Sequence, residues 1–306
     1  MALDIDRYFD RRRLTRALRF WRIAAIAAVV ALIAVAVGRS DAVPRASVAL
    51  IEVHNVIFDD TDRIEALDEL ADDDQVKALI VHIDSPGGTV VGGENLYLAL
   101  RRVAEKKPVV AVMAELATSA GYMVALGTDH IVARQGTVTG SIGVLMQSFE
   151  VTDLLAKLGI TADSIKSAPL KATPNPLEKL TPDARAAAQD VVMDMYNMFV
   201  DMVSERRGMD RDATLKLADG RVYTGRQAIQ NGLIDEIGGE REARAWLKSA
   251  HNIDDRLPVS LVEIHRDKGF LSSLLDDLMG KAMGKTLFSE RLRLDGLISL
   301  WHPQLH

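Results

Sequence analysis

One serine is a candidate nucleophile because of the residues around it. Ser119 lies in the stretch ELATSAGYMVALG (115–127), among alanines, glycines and aliphatic side chains. The pattern predicts that a strand ends and a helix begins here, which is where binding sites gather in open parallel sheets. A helix N-terminus favours the oxyanion that forms when a hydroxyl attacks a carbonyl. The residues alone also allow a structural serine that caps the helix, although Thr118 would cap it equally well.

A serine nucleophile needs a base, and both histidine and lysine can take its proton. His82 and His130 have no evident reason to meet the Ser119 hydroxyl, and we interpret them as core or surface histidines whose hydrogen bonds are satisfied. A lysine serves when burial lowers its pKa from about 10.4 far enough to leave it neutral. The stretch SIKSAPLKATPNP contains Lys166 and Lys171. Lys171 lies in a proline-bounded, nearly uncharged loop, the kind of setting that desolvates an amine.

A glycine turn is the third candidate feature. DSPGG (84–88) follows a predicted buried strand. Gly87 and Gly88 allow close approach of the backbone to a ligand and direct N–H groups outward at a helix start. Strand-to-helix turns commonly contain glycine, so a purely structural turn is an equally open interpretation.

The elements that must position these residues alternate between strands and helices. Apolar, β-branched runs predict strands at 47–54, 76–84, 108–114, 130–133 and 142–149. Helices are predicted at 61–72, from the glycine turn to about 106, and at 118–127. A longer helix is predicted from the cap Thr181, with Pro182 at its first position, to Gly208. Buried strands that alternate with helices favour an α/β fold with a parallel sheet.

The basic and acidic residues are distributed unevenly. Residues 1–22 contain seven arginines and three aspartates, so the totals of 37 basic and 43 acidic residues leave 30 and 40 for the rest of the chain. A body with a net charge near −10 argues against nucleic acid as a partner, because phosphate binding needs a basic face. The chain has no cysteine, which excludes thiolate nucleophiles, thiolate metal sites and disulfides.

The arginine-rich segment ends where a run without charged or polar side chains begins. Residues 23–38 would span about 24 Å as a helix, somewhat short of a hydrocarbon core of about 30 Å. Phe20 and Trp21 extend the apolar reach at the interface. We predict a transmembrane anchor at 23–38, a cytoplasmic segment at 1–22 and a linker at 39–45, with the rest outside the cytoplasm. A cleaved signal peptide and a soluble core helix are the alternatives.

Five blocks together resemble one family. HIDSPGG, ATSAGYM, TVTGSIGV, IKSAPLKATPNP and LADGRVYTGRQAIQNGLIDEIGG occur in the order found in signal peptide peptidase A, in its short, single-unit form. The resemblance implies a crotonase/ClpP-like fold of repeated ββα units with a parallel sheet. It implies a peptidase core at 46–240, and we expect a C-terminal helical extension at 241–306.

The resemblance also implies roles for individual residues. Ser119 matches the nucleophile and Lys171 the general base. The N–H groups of Gly88 and Ala120 match the oxyanion hole, and Gly87 supports the turn. No metal or organic cofactor is implied.

Three positions also bear on the resemblance. Ser141 falls in a supporting loop that would orient the base. The family's nucleophile block usually reads Ser-Gly-Gly-Tyr-Tyr, whereas this chain has Ala120 after the serine and Met123 in place of an aromatic residue. These departures bear on specificity, because Met123 is expected to reshape the nearby substrate pocket.

The function implied is that of a membrane-anchored serine endopeptidase that degrades cleaved signal peptides. The expected setting is the cytoplasmic membrane of a bacterium, with the catalytic domain in the periplasm. The expected assembly is a homo-oligomer whose dyad forms within or between subunits. Two alternatives stay open: a related membrane peptidase that cuts stomatin-like or other membrane proteins, and a non-catalytic membrane scaffold of the same fold. An acyl-CoA enzyme is disfavoured, since an extracytoplasmic domain rarely meets that substrate.

Overall fold

A computed structural model describes residues 19–31 and 46–264 in full, and the backbone of residues 297–300. The chain divides into two compact units, Met1–Arg45 and Ala46–His306. In the first unit, residues 19–31 form helix α1. Within the described part of the chain, no helix combines the length and the apolar character needed to cross a membrane. Residues 32–38 of the predicted anchor, the linker and residues 1–18 lie outside the described residues, so the anchor stays a prediction.

Among the described residues of the second unit, ten strands form one mixed sheet. These strands are β1 Ser47–Ile57, β2 Val76–Thr89, β3 Val109–Thr118, β4 His130–Ala133, β5 Val138–Gly140, β6 Leu145–Met146, β7 Val222–Thr224, β8 Glu236–Ile237, β9 Val259–Leu261 and β10 Leu297–Leu300. Six of them pair in parallel in the order β9-β1-β2-β3-β4-β8. Strand β5 is parallel to β3 and antiparallel to β7. Strand β10 lies antiparallel between β2 and β6. The predicted α/β fold is confirmed, but the sheet is mixed.

The helices connect these strands and cover the sheet. They are α2 Thr61–Asp72, α3 Val90–Ala104, α4 Ala120–Leu126, α5 Thr152–Lys157, α6 Pro182–Arg207, α7 Arg211–Leu217, α8 Gly225–Gln230 and α9 Glu240–His251. The long helix α6 begins and ends as its sequence predicts. Thr181 caps it by accepting a hydrogen bond from the Ala184 N–H, and Gly208 ends it in the left-handed conformation that glycine adopts without strain.

The strands β1 to β4 carry buried apolar side chains on both faces of the sheet, because helices pack against both faces. Glu52 and His54 of β1 are exposed exceptions. Alternate residues of a strand point to opposite faces. One set, which includes Ile51, Leu79 and Ala111, packs into a large core with α2, α3, α4 and α6. The other set, which includes Ile80 and Val110, packs under α9 in a smaller core.

Two predicted strand boundaries were wrong. Strand β2 does not end at Asp84 but continues through the glycines to Thr89. It can continue because Gly88 lies so close to β1 that a Cβ there would be 1.8 Å from the Ile57 carbonyl oxygen. The predicted strand 142–149 is reduced to Leu145–Met146. The range of the predicted C-terminal helical extension contains helix α9 and also the strands β9 and β10. Residues 265–296 and 301–306 lie outside the described residues, so the extension stays a prediction.

Candidate active site

Ser119 is the single residue between β3 and α4, and its backbone is strained. Its φ of 58° and ψ of −120° belong to a region that residues other than glycine rarely adopt. Its N–H donates to the Gly140 carbonyl at 2.8 Å, and its carbonyl accepts from the Met123 N–H at 2.9 Å. Such strain costs about 1–3 kcal/mol and persists where the surrounding structure enforces it, commonly at active sites. The same kind of sharp strand-to-helix turn holds the nucleophile of α/β-hydrolases.

The Ser119 hydroxyl does not cap helix α4. Thr118, the other candidate cap, instead donates its hydroxyl hydrogen to the Pro86 carbonyl at 3.0 Å. The structural interpretation of Ser119 as a helix cap was therefore wrong. Ser119 is only 1% exposed in the chain, so a substrate must reach it through a narrow approach.

The glycine turn lies beside this serine. Ser85 pairs with Ala117 across β2 and β3, and the Thr118 hydrogen bond to Pro86 ties the two strand ends together. A Cβ at Gly121 would lie 3.1 Å from the Ser85 carbonyl oxygen, so the first turn of α4 packs against the same loop. Ser119 therefore lies next to the start of the Gly87–Gly88 turn. The end of β3 before it and the first turn of α4 after it both pack against the loop that leads into this turn.

The turn itself is shaped by glycine and by one buried hydroxyl. Gly87 has a φ of 112°, a conformation that glycine alone adopts readily. The Ser85 hydroxyl donates to the Asn55 carbonyl at 2.6 Å and accepts from the Gly87 N–H at 3.1 Å. These bonds fix the backbone that leads to Gly88, whose N–H the sequence assigned to the oxyanion hole.

The second predicted donor, Ala120, is the first residue of α4 and is fully buried. The N–H groups of a first helical turn have no acceptor within the helix, so they are available to an anion. The position does not require a positive φ, because the strained residue is Ser119 and not Ala120. Alanine therefore replaces glycine here without loss of the donor.

Met123 packs inside the protein. It is fully buried in the large core. A Cβ at Gly93 would lie 3.1 Å from its sulfur, which shows how tightly α3 and α4 pack. The expected effect of Met123 on the nearby substrate pocket stays a prediction, and the structure places its side chain in the core.

Ser141 lies one residue beyond the group that holds the Ser119 backbone. Gly140 accepts from the Ser119 N–H, and the Ser141 N–H donates to the Arg221 carbonyl at 2.8 Å. Ser141 also has a positive φ, 51°, and is 8% exposed. Its role as a supporting residue stays a prediction, and its position beside the nucleophile turn is compatible with it.

The two lysines differ in their surroundings. The Lys166 amine is paired with the Glu178 carboxylate, and this contact lowers the pKa of Glu178. The Lys171 amine takes part in no hydrogen bond or ion pair with the residues that the structure describes. Lys171 is exposed in the isolated chain, whereas a lysine base must be desolvated. The structure gathers Ser119, the glycine turn and Ala120, but it leaves Lys171 on an exposed loop.

Neither of the histidines weighed as bases is engaged at the serine. The His130 ring stacks on Trp246, with centroids 4.7 Å apart, and its Nε2 lies 3.3 Å from a Glu236 carboxylate oxygen. The His82 ring lies 5.6 Å from that of His54. His54 was missed by the sequence reasoning, because only the register of two strands brings it to His82.

Comparison with known proteins links the chain to a family of peptidases. The family model described as peptidase family S49 matches residues 101–254. A protein described as a protease in Synechocystis sp. is 36% identical over 222 residues, which are 72% of this chain and 80% of that protein. A protein described as signal peptide peptidase SppA in Enterococcus faecium is 34% identical over 229 residues, which are 74% of this chain and 66% of that protein. A solved ClpP1 mutant from Listeria monocytogenes has a TM-score of 0.42 at 14% identity, over 63% of this chain and 92% of that one.

Proposed function

The chain belongs to peptidase family S49, a family of serine proteases, and we propose that it cleaves peptide bonds with Ser119 as nucleophile and Lys171 as general base. The observation that carries this proposal is the Ser119 turn. A buried serine in a strained strand-to-helix turn, whose hydroxyl does not cap the helix, lies beside a glycine turn that is fixed by its own hydrogen bonds.

The proposed reaction is acyl transfer to water. Neutral Lys171 takes the proton as the Ser119 oxygen attacks the peptide carbonyl, and the N–H groups of Gly88 and Ala120 stabilise the oxyanion. Protonated Lys171 then gives its proton to the leaving amine as the C–N bond breaks. A water molecule attacks the acyl-serine in the same way and releases the second product. The reaction needs no metal or organic cofactor.

Strand β10 supports a mode of substrate binding. Its backbone lies antiparallel to β2, with Ser299 opposite Gly88 and Leu300 opposite Gly87, and its other edge pairs with Leu145 and Met146 of β6. An extended segment therefore fits between β6 and the glycine turn. We propose that a substrate peptide binds there as an added strand, so that its backbone passes Gly88.

The exposure of Lys171 supports assembly of several copies. Its loop belongs to a segment, 145–193, that presents many large apolar side chains to solvent in the isolated chain. These are Leu145, Phe149, Leu154, Leu158, Ile160, Ile165, Leu170, Leu177, Leu180, Val191 and Met193. Large apolar side chains exposed in this number mark a contact with another protein or a membrane. We propose that a second copy covers it and desolvates the Lys171 amine, which completes the dyad in a homo-oligomer.

For the substrate, we propose apolar peptides at a membrane, in particular cleaved signal peptides. This rests on the arginine-rich segment 1–22, the apolar run 23–38 and the likeness to a protein named signal peptide peptidase. The N-terminus would lie in the bacterial cytoplasm and the catalytic unit in the periplasm. Cleavage of other membrane proteins is the alternative, and peptide libraries would separate the two.

The proposed dyad is tested with a matched pair of lysine variants. We expect Ser119→Ala and Lys171→Ala each to lower kcat for a peptide substrate by at least about 10³-fold, whereas Lys166→Ala keeps most of it. A fluorophosphonate probe should label the wild type and not Ser119→Ala. Full activity in Lys171→Ala would remove the base assignment, and an unlabelled, inactive wild type would favour the scaffold.

A further inference from the structure

Three side chains that commonly bind metals meet on one face of the sheet, away from the residues of the proposed dyad. The ligand atoms of Glu52, His54 and His82 all lie within 4.8 Å of one another. The His54 Nε2 is 3.5 Å from a Glu52 carboxylate oxygen. A tetrahedral Zn²⁺ with bonds of about 2.0–2.2 Å holds its ligand atoms roughly 3.4 Å apart. Small rotations of these side chains would therefore bring all three into coordination distance.

The backbone holds the three residues in this arrangement. Glu52 of β1 lies directly opposite His82 of β2 in a parallel pair, and His54 follows two positions later on the same face. The same face carries Ile80 and Val110 under α9, so the cluster continues a packed surface outward. Sites on paired strands are more precisely placed than sites on loops.

One nitrogen of the cluster is buried without a hydrogen-bond partner among the described residues. Among the described residues, Nδ1 of His82 is shielded from solvent and has no hydrogen-bond partner. The expectation of a fully satisfied His82 was therefore wrong. Shielding a polar atom without a partner is unfavourable, because the atom loses its hydrogen bond to water and gains none from the protein. Coordination of the imidazole to a cation gives the ring a strong partner that the protein itself does not supply.

The accessibility and chemistry of the cluster select the kind of ion. The side chains of His54 and Glu52 are 40% and 47% exposed, so an ion can enter from solvent. Two imidazoles with one carboxylate suit Zn²⁺, whereas Mg²⁺ and Ca²⁺ prefer all-oxygen sites. We propose that Glu52, His54 and His82 form a Zn²⁺ site, with water in the remaining coordination position. This site is separate from the peptidase function proposed above.

Calorimetric titration of the metal-free, full-length protein with ZnCl₂ tests the site. We expect one Zn²⁺ per chain with micromolar or tighter affinity, and no binding of Mg²⁺ under the same conditions. His54→Ala and His82→Ala should each weaken Zn²⁺ binding at least 10-fold, by loss of a ligand. His251→Ala is the matched control, because it removes an exposed histidine of α9 that lies outside the cluster, and it should bind Zn²⁺ as the wild type does.

Two further measurements keep the result decisive. Glu52→Gln keeps the size of the side chain and should also weaken Zn²⁺ binding, and circular dichroism should show that each variant is folded. Bound Co²⁺ should give the visible absorption of a site with histidine ligands in the wild type and lose it in the His54→Ala/His82→Ala double variant. The proposal is overturned if the wild type binds no Zn²⁺, or if the double variant binds one Zn²⁺ with unchanged affinity.

Discussion

Tyr122 links α4, the helix that follows Ser119, to the loop between α8 and β8. Its hydroxyl can be removed with little change in the shape of the core. The side chain lies in α4 and is fully buried, and its hydroxyl donates to the Leu233 carbonyl at 2.8 Å. Tyr122→Phe leaves that carbonyl without this donor. Loss of a buried partner costs about 1–3 kcal/mol. We expect the free energy of unfolding to fall by about 2 kcal/mol, and the melting temperature by roughly 4–8 °C.

Urea denaturation of the wild type and the variant measures this loss, and Tyr196→Phe is the matched control. The Tyr196 hydroxyl makes a bond of the same length, 2.8 Å, to the Ala218 carbonyl, but the residue is only half-buried. Water can replace its hydroxyl, so we expect a loss below about 1 kcal/mol. Equal losses in the two variants would refute the argument that burial of the Tyr122 bond sets its strength.

The same residue gives the unfolding free energy a dependence on alkaline pH. Burial raises the pKa of the Tyr122 phenol above its ordinary value of 10.0. Because the pKa is higher in the folded state, this stability is fully present below about pH 10 and is lost as the pH rises further. Tyr122→Phe should therefore lose less stability than the wild type between about pH 9 and pH 11. Parallel urea curves at the two pH values would show it, and identical declines would contradict the assignment.

Two further predictions concern the assembled site. The first assumes that Ser119 and Lys171 come from different copies. Equal mixtures of Ser119→Ala and Lys171→Ala chains, reassembled together, should then recover up to about a quarter of wild-type peptide hydrolysis. No recovery would place both residues in one copy. If β10 occupies the substrate's position beside Gly88, a chain that ends before Leu297 should cleave short peptides with a several-fold lower KM, and an unchanged KM would show that β10 does not compete.

Local signals in the sequence predicted the elements that depend on local contacts. The cap Thr181, Pro182 and Gly208 bound α6 in the sequence as they do in the structure, because capping involves residues within a few positions of one another. The strand 130–133 was predicted with its observed ends from its apolar run. The order of the motifs also predicted the family, which the comparisons confirm.

Features that depend on pairing between distant segments were not predictable in this way. The continuation of β2 through Gly88 follows from its close approach to Ile57 of β1, some thirty residues away in the chain. The insertion of β10 between β2 and β6 has no local signature, because it depends on pairing with two segments that are far away in the chain. The meeting of His54 and His82 likewise depends on a register that neither strand specifies alone.

The positions of Ser119 and Lys171 show why one half of the candidate site could be described from a single chain and the other could not. The strained backbone of Ser119 is enforced by bonds within the fold, from Gly140 on one side and from the first turn of α4 on the other. Lys171 lies in a loop whose neighbouring apolar side chains face solvent, whereas a lysine that acts as a base needs surroundings shielded from water. A single chain thus supplies the strained turn of the proposed nucleophile but not the low-dielectric surroundings that the proposed base requires. Burial of the apolar segment 145–193 against another copy would supply those surroundings, so assembly and activity should rise together with protein concentration.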